Sequence, residues 1–421
     1  MEEKEVRLLC LLLLLLACTF PAAGCRREGA GRASDLPGGD LLGALPEETL
    51  FGLSFPGRIP PDSPIPDLLV SLGFGREEIR FLERTDGLAA ALAGRRLLAL
   101  FRREGGGGSL PRRVRPWRGG ILSFTPSGDS VPKGPVLADS PAWPVLTRAA
   151  APWKGRLLLW ISLARLLEGG GAGKGKEGML PGRTAWLARR EFREALNLDT
   201  FEALLARVER GGRGRAALFL WPDRFGLPGI LLPGKGGIDG SPPRGAFSYL
   251  AWRIDPARLG SFLSGLESLS GPAGKMLQVG VGFLKARLGL DPARDLAAGL
   301  DGRILLAFGA EGGFLRAGLL SGERGRKVAS ALARPGLPLG ALKALVGGKV
   351  SFLDGKGSIC IRWGKPSFPL PELPRASREG SAIGLFRVRV TLPFLRREGS
   401  IVEGRVLRAD YGMEVPFRLR N

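Results

Sequence analysis

The 421-residue sequence predicts an α+β fold of two related halves, each a mostly antiparallel sheet with helices on one face, ending in a C-terminal β-meander. Three observations predict it. A twelve-residue segment near residue 90 recurs near residue 300. Single-faced apolar stripes at helical spacing alternate with apolar runs of strand length. Residues 384–419 resolve into three alternating segments separated by short polar or Gly-containing turns.

The chain opens with Met1-Glu2-Glu3-Lys4-Glu5-Val6-Arg7 and the apolar run Leu8–Ala17, followed by Thr19-Phe20-Pro21 and Ala22-Ala23-Gly24-Cys25. A short apolar core, a helix-breaking Pro and small residues ahead of a cleavage point describe a signal peptide. The run is shorter than the about 20 apolar residues a membrane helix needs. Ala22-Ala23-Gly24-Cys25 resembles the lipobox of bacterial lipoproteins, and the resemblance implies diacylglycerol on the Cys25 thiol with cleavage just before it. The match departs at Ala22, where the family has Leu, and in an n-region with three acids against two bases. Leu15-Leu16-Ala17-Cys18 supplies the Leu and makes Cys18 the alternative lipidation site, at the cost of a very short apolar core. Residues 1–24 are thus expected to be a signal peptide. Residues 25–45, Gly- and Arg-rich with little periodicity, are expected to be a lipidated flexible tether.

The first half, 46–165, begins at Pro46-Glu47-Glu48-Thr49 with a strand over Leu50–Phe55 that Pro56-Gly57 stops. Asp67–Leu72 has the pattern of a short helix. Leu88–Ala99 matches Leu296–Ala307 at nine of twelve positions. Each copy is expected to form a helical turn, a Gly turn and a buried strand. Leu72-Gly73-Phe74 and Leu288-Gly289-Leu290 precede the copies, and strands at Ile121–Phe124 and Phe314–Leu320 follow them. Leu157–Ile161 is a further strand.

Residues 166–210 are expected to hold a Gly/Lys loop, Gly169–Gly178, and a helical bridge. Asp199-Thr200-Phe201-Glu202 resembles a capping box, Phe201, Leu204, Leu205 and Val208 recur at helical spacing, and Gly211-Gly212 ends the run. The second half, 211–364, carries strands at Ala216–Leu220, Phe247–Ile254, Val350–Leu353 and Ser358–Trp363. Its helices follow Asp255-Pro256 and Asp291-Pro292, each a cap ahead of a first-turn Pro. Residues 365–421 hold the meander, with strands at Gly384–Leu392, Ile401–Ala409 and Met413–Leu419. The Pro46-Glu47-Glu48-Thr49 opening and the helix–strand unit at 288–308 resemble domain-of-unknown-function units of bacterial envelope proteins, a resemblance that implies no activity.

Composition narrows the function. The formal net charge is +22, and the first 24 residues carry Lys4 and Arg7 against Glu2, Glu3 and Glu5, so the remainder is more basic still. Such a surface attracts anionic headgroups or polyanionic envelope polymers. Arg, Gly, Pro and Ala are abundant throughout, which a GC-rich genome also produces. The chain has no His, which removes Ser-His and Cys-His nucleophile pairs and every His-containing metal site. With Cys10 and Cys18 inside the leader and Cys25 lipidated, Cys360 is left without a disulfide partner and is expected to be a small buried apolar residue. No metal or cofactor is expected.

Two kinds of motif bear on ligands. Gly229-Ile230-Leu231-Leu232-Pro233-Gly234-Lys235 has the spacing of a phosphate loop, but Gly236 stands where Ser or Thr must reach magnesium and Pro233 removes an amide. The basic clusters are better candidates. Arg112, Arg113, Arg115, Trp117 and Arg118 interleave cations with one indole, and Arg210, Arg213 and Arg215 stud an RGG-like stretch. Such segments bind single-stranded nucleic acid in other settings; export argues against that partner here. The expected role is contact with an anionic surface by a non-enzymatic envelope lipoprotein, held at the membrane by its lipid and facing the periplasm or cell exterior. Envelope polymers or proteins are its expected partners. A carrier of an apolar ligand is the alternative, and a His-free hydrolase using Lys or carboxylates is the third reading.

Overall fold

The computed structural model describes residues 39–57, 75–82, 85–93, 96–103, 113–118, 120–125, 131, 134–153, 157–169, 197–209, 213–221, 226–233, 235–243, 247–266, 278–279, 282, 285–286, 289–309, 311–332, 350–355, 357–377, 382–390 and 400–420. The chain is mixed helix and strand, dominated by one large antiparallel sheet with few helices. The strands are β1 (Thr49–Phe55), β2 (Thr85–Ala93), β3 (Arg96–Arg103), β4 (Val114–Pro116), β5 (Ile121–Phe124), β6 (Leu157–Ser162), β7 (Phe201–Val208), β8 (Arg213–Leu220) and β9 (Gly237–Asp239). They continue with β10 (Ser248–Arg253), β11 (Leu300–Gly309), β12 (Gly312–Leu319), β13 (Val350–Gly355), β14 (Ser358–Gly364), β15 (Arg375–Ser377), β16 (Gly384–Val390), β17 (Ser400–Ala409) and β18 (Gly412–Arg420). Strands β9 and β15 pair with each other in a separate two-stranded sheet, and Ile238 of β9 also bridges Ala382.

The other sixteen form a single sheet whose centre is the β8–β18 pair. Outward from that pair, one side runs β8-β7-β6-β1-β2-β3-β5-β4 and the other β18-β17-β16-β10-β11-β12-β14-β13. The C-terminal meander, β16–β17–β18, is therefore the middle of the sheet rather than an appendage. β18 zips onto β8 from Gly412↔Phe219 to Arg418↔Arg213.

Helices lie on both faces of the β1–β8 side, which corrects the one-faced arrangement. Alternate residues of β2 enter different cores, as period-two side-chain alternation requires. Leu88, Ala90 and Leu92 pack with Phe101 and with Ile79 and Leu82 of helix Arg76–Leu82. Ala89 and Ala91 pack with Leu42, Leu45 and Leu146, beneath helices Gly39–Gly43 and Ala142–Ala150. Residues 39–45, assigned to the tether, thus belong to the fold: Leu42 and Leu45 are fully buried.

Two helical expectations fail for one reason. Leu88–Ala93 and Phe201–Val208 are strands β2 and β7. Ala and Leu favour helices intrinsically, but both segments are paired on each edge, and β2 is buried on both faces from Leu88 onward. A surface helix would leave one face wet; a central strand leaves none. The twelve-residue match consequently joins unlike structures. Its first copy is the β2–β3 hairpin, whereas its second runs through the short helix Ala297–Gly299 into β11. The Asp255 and Asp291 caps do form. The Asp255 Oδ1 accepts from Ala257 N at 3.0 Å, and Asp291 Oδ1 accepts from Ala293 N at 2.9 Å and Arg294 N at 3.0 Å. Asp67–Leu72 and residues 170–178 lie outside the described residues.

The sequence contains two tyrosines, and burial pushes both phenols up to about 12: Tyr249 in the core under β10, and Tyr411, where Glu414 adds to the effect. The unfolded phenol ionises near 10. Their stabilising contribution is therefore complete below about pH 10 and is lost as pH rises through about 12. Tyrosinate absorbance of the native protein should titrate about two pH units higher than in denaturant; a native midpoint near 10 would contradict this burial.

Candidate functional site

Strand alternation and register place a cluster of arginines on one face of the central strands. Arg213 and Arg215, two apart on β8, project to the same face. Arg213 lies directly opposite Arg418 of β18, and Arg418 in turn opposite Glu403 of β17, which faces Arg387 of β16. One register step away, Arg215 stands between Arg207 of β7 and Pro416 of β18. Arg405 of β17 pairs with Leu385, again on this face.

Arg213, Arg215, Arg405 and Arg418 line a groove of about 540 Å³ together with Glu209 and Glu403; Ser241, Pro242 and Pro416 contribute further wall, and Gly214, Gly404 and Phe417 of the same three strands complete the lining. It lies across β17, β18 and β8, where the two sides of the sheet meet.

The electrostatics are uneven. Glu403 is held by Arg420 Nη2 at 2.5 Å and Arg387 Nη1 at 3.8 Å, both outside the groove lining. Arg215 Nη1 reaches Glu414 Oε1 at 3.5 Å with its side chain 53% exposed, a contact worth little in water. Arg207 is buried and donates from Nη1 to the carbonyls of Ala150 and Ala151 at 3.3 and 3.4 Å, capping the end of helix Ala142–Ala150. Burial pulls its guanidinium below the usual arginine range, and Glu209 partly opposes that. Among the described residues no carboxylate forms an ion pair with Arg213, Arg405 or Arg418. Like charges directly opposite in a sheet are unfavourable. At about 5 Å in water the repulsion is under about 1 kcal/mol, small enough for the sheet to carry. An anion seated between the guanidinium forks reverses its sign.

The predicted basic residues divide. Arg213 and Arg215 are in the groove. Arg113, Arg115, Trp117 and Arg118 are at edge strand β4, seven strands from β8, or roughly 33 Å at the usual strand spacing. There they fasten the edge. Trp117 Nε1 donates to Ala44 O at 3.2 Å, Arg118 Nη2 donates to Gly134 O at 2.5 Å and stacks 5.4 Å over the Trp117 ring, and Arg113 approaches Glu78 at 3.9 Å. The structure does not bring the two clusters together. Cys18, Cys25, Arg112 and Arg210 lie outside the described residues. Gly229 is buried within helix Gly226–Leu231, so the first glycine of the phosphate-loop spacing sits in a helix rather than in a loop, and Gly234 lies outside the described residues. Cys360 is fully buried on β14, and burial pushes its thiol up.

Sequence reasoning missed Arg405 and Arg418. One local signal existed: Arg418-Leu419-Arg420 repeats the Arg-x-Arg alternation of Arg213-Gly214-Arg215, and both put two cations on one face of a strand. The chain matches no protein-family model, no curated protein and no solved structure.

Proposed function

We propose that the chain is an exported envelope lipoprotein, anchored through a lipid on Cys25, whose folded body is a non-enzymatic interaction scaffold. Anionic envelope partners meet it through the central groove. The observation that carries this reading is the convergence of Arg213, Arg215, Arg405 and Arg418, drawn from three strands, in one groove. The leader and the Ala22-Ala23-Gly24-Cys25 segment support the anchor. Metabolic labelling with a tagged fatty acid tests the anchor: label should enter the wild type and be absent from Cys25→Ala. Label that persists in the variant refutes it. Co-sedimentation with isolated envelopes tests the scaffold role and should weaken steeply as salt rises.

We further propose that the body consists of two related halves joined at β8–β18. The matching order of strands supports this. So do two Asp-Gly bulges at equivalent places: Gly87 in β2 has φ +90° and Gly302 in β11 has φ +89°, and each coincides with a register shift in its hairpin. In this pairing β2 corresponds to β11 and β3 to β12, one strand out of step with the twelve-residue match. In the sequence, Leu72-Gly73-Phe74 and Leu288-Gly289-Leu290 precede β2 and β11 respectively; Leu72, Gly73, Phe74 and Leu288 lie outside the described residues.

One observation favours the carrier reading as a second possibility. On the face opposite the groove, Leu250, Leu306, Leu315 and Ile361 form a cross-strand row, with Leu250 and Leu315 each 36% exposed and Phe308 beside them 40% exposed. A carrier requires an acyl chain to copurify with the protein.

A further inference from the structure

We propose that the central groove binds a phosphate ester of a polyol, its phosphate gripped between Arg213 and Arg418. The proposal rests on reading the groove as the anion-contacting surface, and names the ligand class.

Geometry selects the phosphate. Arg213 and Arg418 are direct cross-strand partners on one face, so their guanidinium forks rise from points about 5 Å apart. A carboxylate has two oxygens and is satisfied by one fork. A phosphate monoester has three terminal oxygens and accepts two forks from different sides. Glu403 is the neighbour that could neutralise Arg418, and Arg420 and Arg387 engage it instead. Arg405 and Arg215 flank the pair and add charge without crowding it.

The remaining wall selects the polyol. Glu209 and Glu403 are acceptors beside the cations, and Ser241 is both donor and acceptor. Carboxylates repel a run of phosphates but accept hydrogen bonds from hydroxyls, so they disfavour a nucleic-acid or polyphosphate chain and favour one phosphate with hydroxyls next to it. Pro242 and Pro416 present rigid C–H surface to a carbon backbone. The volume, about 540 Å³, falls within the range of small-molecule pockets.

Titration calorimetry of the full chain in neutral detergent, with glycerol 3-phosphate as probe, tests the proposal. Saturable binding is expected, weakened about tenfold by Arg213→Gln or Arg418→Gln and lost in the double variant. Arg113→Gln/Arg118→Gln, at the far edge, should leave it unchanged. The groove variants should keep the wild-type melting temperature, because each removes one of two opposed like charges rather than a core contact. Affinity should rise between about pH 5 and pH 7.5, as the ester gains its second charge near pH 6. A second arm uses phosphatidic acid vesicles, whose headgroup is a phosphate monoester of glycerol with three terminal oxygens, against phosphatidylcholine vesicles. Vesicle binding lost in the double variant, with no response to the soluble ester, assigns the phosphate to a lipid headgroup at the same residues. Binding of both probes that survives the double variant, absence of saturable binding to either, or tighter binding of single-stranded DNA than of the ester overturns the proposal. Fatty-acid labelling reads the anchor separately, so failure of one leaves the other measured.

Discussion

Phe101→Ala should destabilise the protein by about 3–5 kcal/mol, the cost of truncating a buried phenylalanine where the surroundings cannot collapse. Phe101 is fully buried on β3 and faces Leu88 of β2 and Leu122 of β5 in register. The Phe81 ring meets it edge-on, with centroids 5.5 Å apart and planes at 74°. Both neighbouring strands are fixed by ladder hydrogen bonds, and helix Arg76–Leu82 closes the core from above with Ile79 and Leu82. Little of the cavity left by the ring can be filled by backbone movement. Phe308→Ala is the control: the same residue type in strand β11, but 40% exposed, should cost under about 1 kcal/mol. Urea midpoints for the two variants decide the matter. Equal shifts would mean that the core under β3 is not packed as described.

How much of this could be read from the sequence depends on where the information resides. Strands with apolar runs and turn residues at both ends were legible to within a residue or two: β1, β6, β14 and the meander strands β17 and β18. Their boundaries are local. β2 and β7 were not, because Thr85–Ala93 and Phe201–Val208 are Ala- and Leu-rich strings whose intrinsic preference is helical. Only pairing on both edges makes them strands, and that depends on segments far away in the chain. The same distinction runs through the site. Arg213 and Arg215 were visible because two residues on one strand share a face. Arg405 and Arg418 lie about two hundred residues further on, and nothing near them in sequence indicates that β18 docks on β8. The placement of the meander as the seam is the long-range fact on which the groove depends.

The seam itself is held by aromatic rings lying over glycines on the face opposite the arginines, and valine substitutions there should separate two kinds of obstacle. Valine is a better strand residue than glycine, so propensity alone predicts stabilisation at either position. Contacts reverse the sign. A Cβ on Gly404 of β17 would stand 2.5 Å from the carbonyl oxygen of Pro416 and 2.7 Å from the Phe386 ring. The carbonyl belongs to the β18 backbone and cannot yield without breaking the β17–β18 ladder, so Gly404→Val should cost about 3 kcal/mol, the upper end for overpacking. Adding Phe386→Ala should recover little, because the backbone obstacle remains. At Gly214 of β8 the three atoms nearest to an added Cβ all belong to the Phe417 ring. A ring can swing aside, so Gly214→Val should cost about 1 kcal/mol, and combining it with Phe417→Ala should show a coupling of similar size. Gly214 sits between Arg213 and Arg215, and Phe417 precedes Arg418, so the apolar side of the seam sets the spacing of the cations on the other. Gly404→Val should therefore also weaken glycerol 3-phosphate binding by more than Phe101→Ala does at equal loss of stability. If the two variants weaken it equally, the seam has no special hold on the groove.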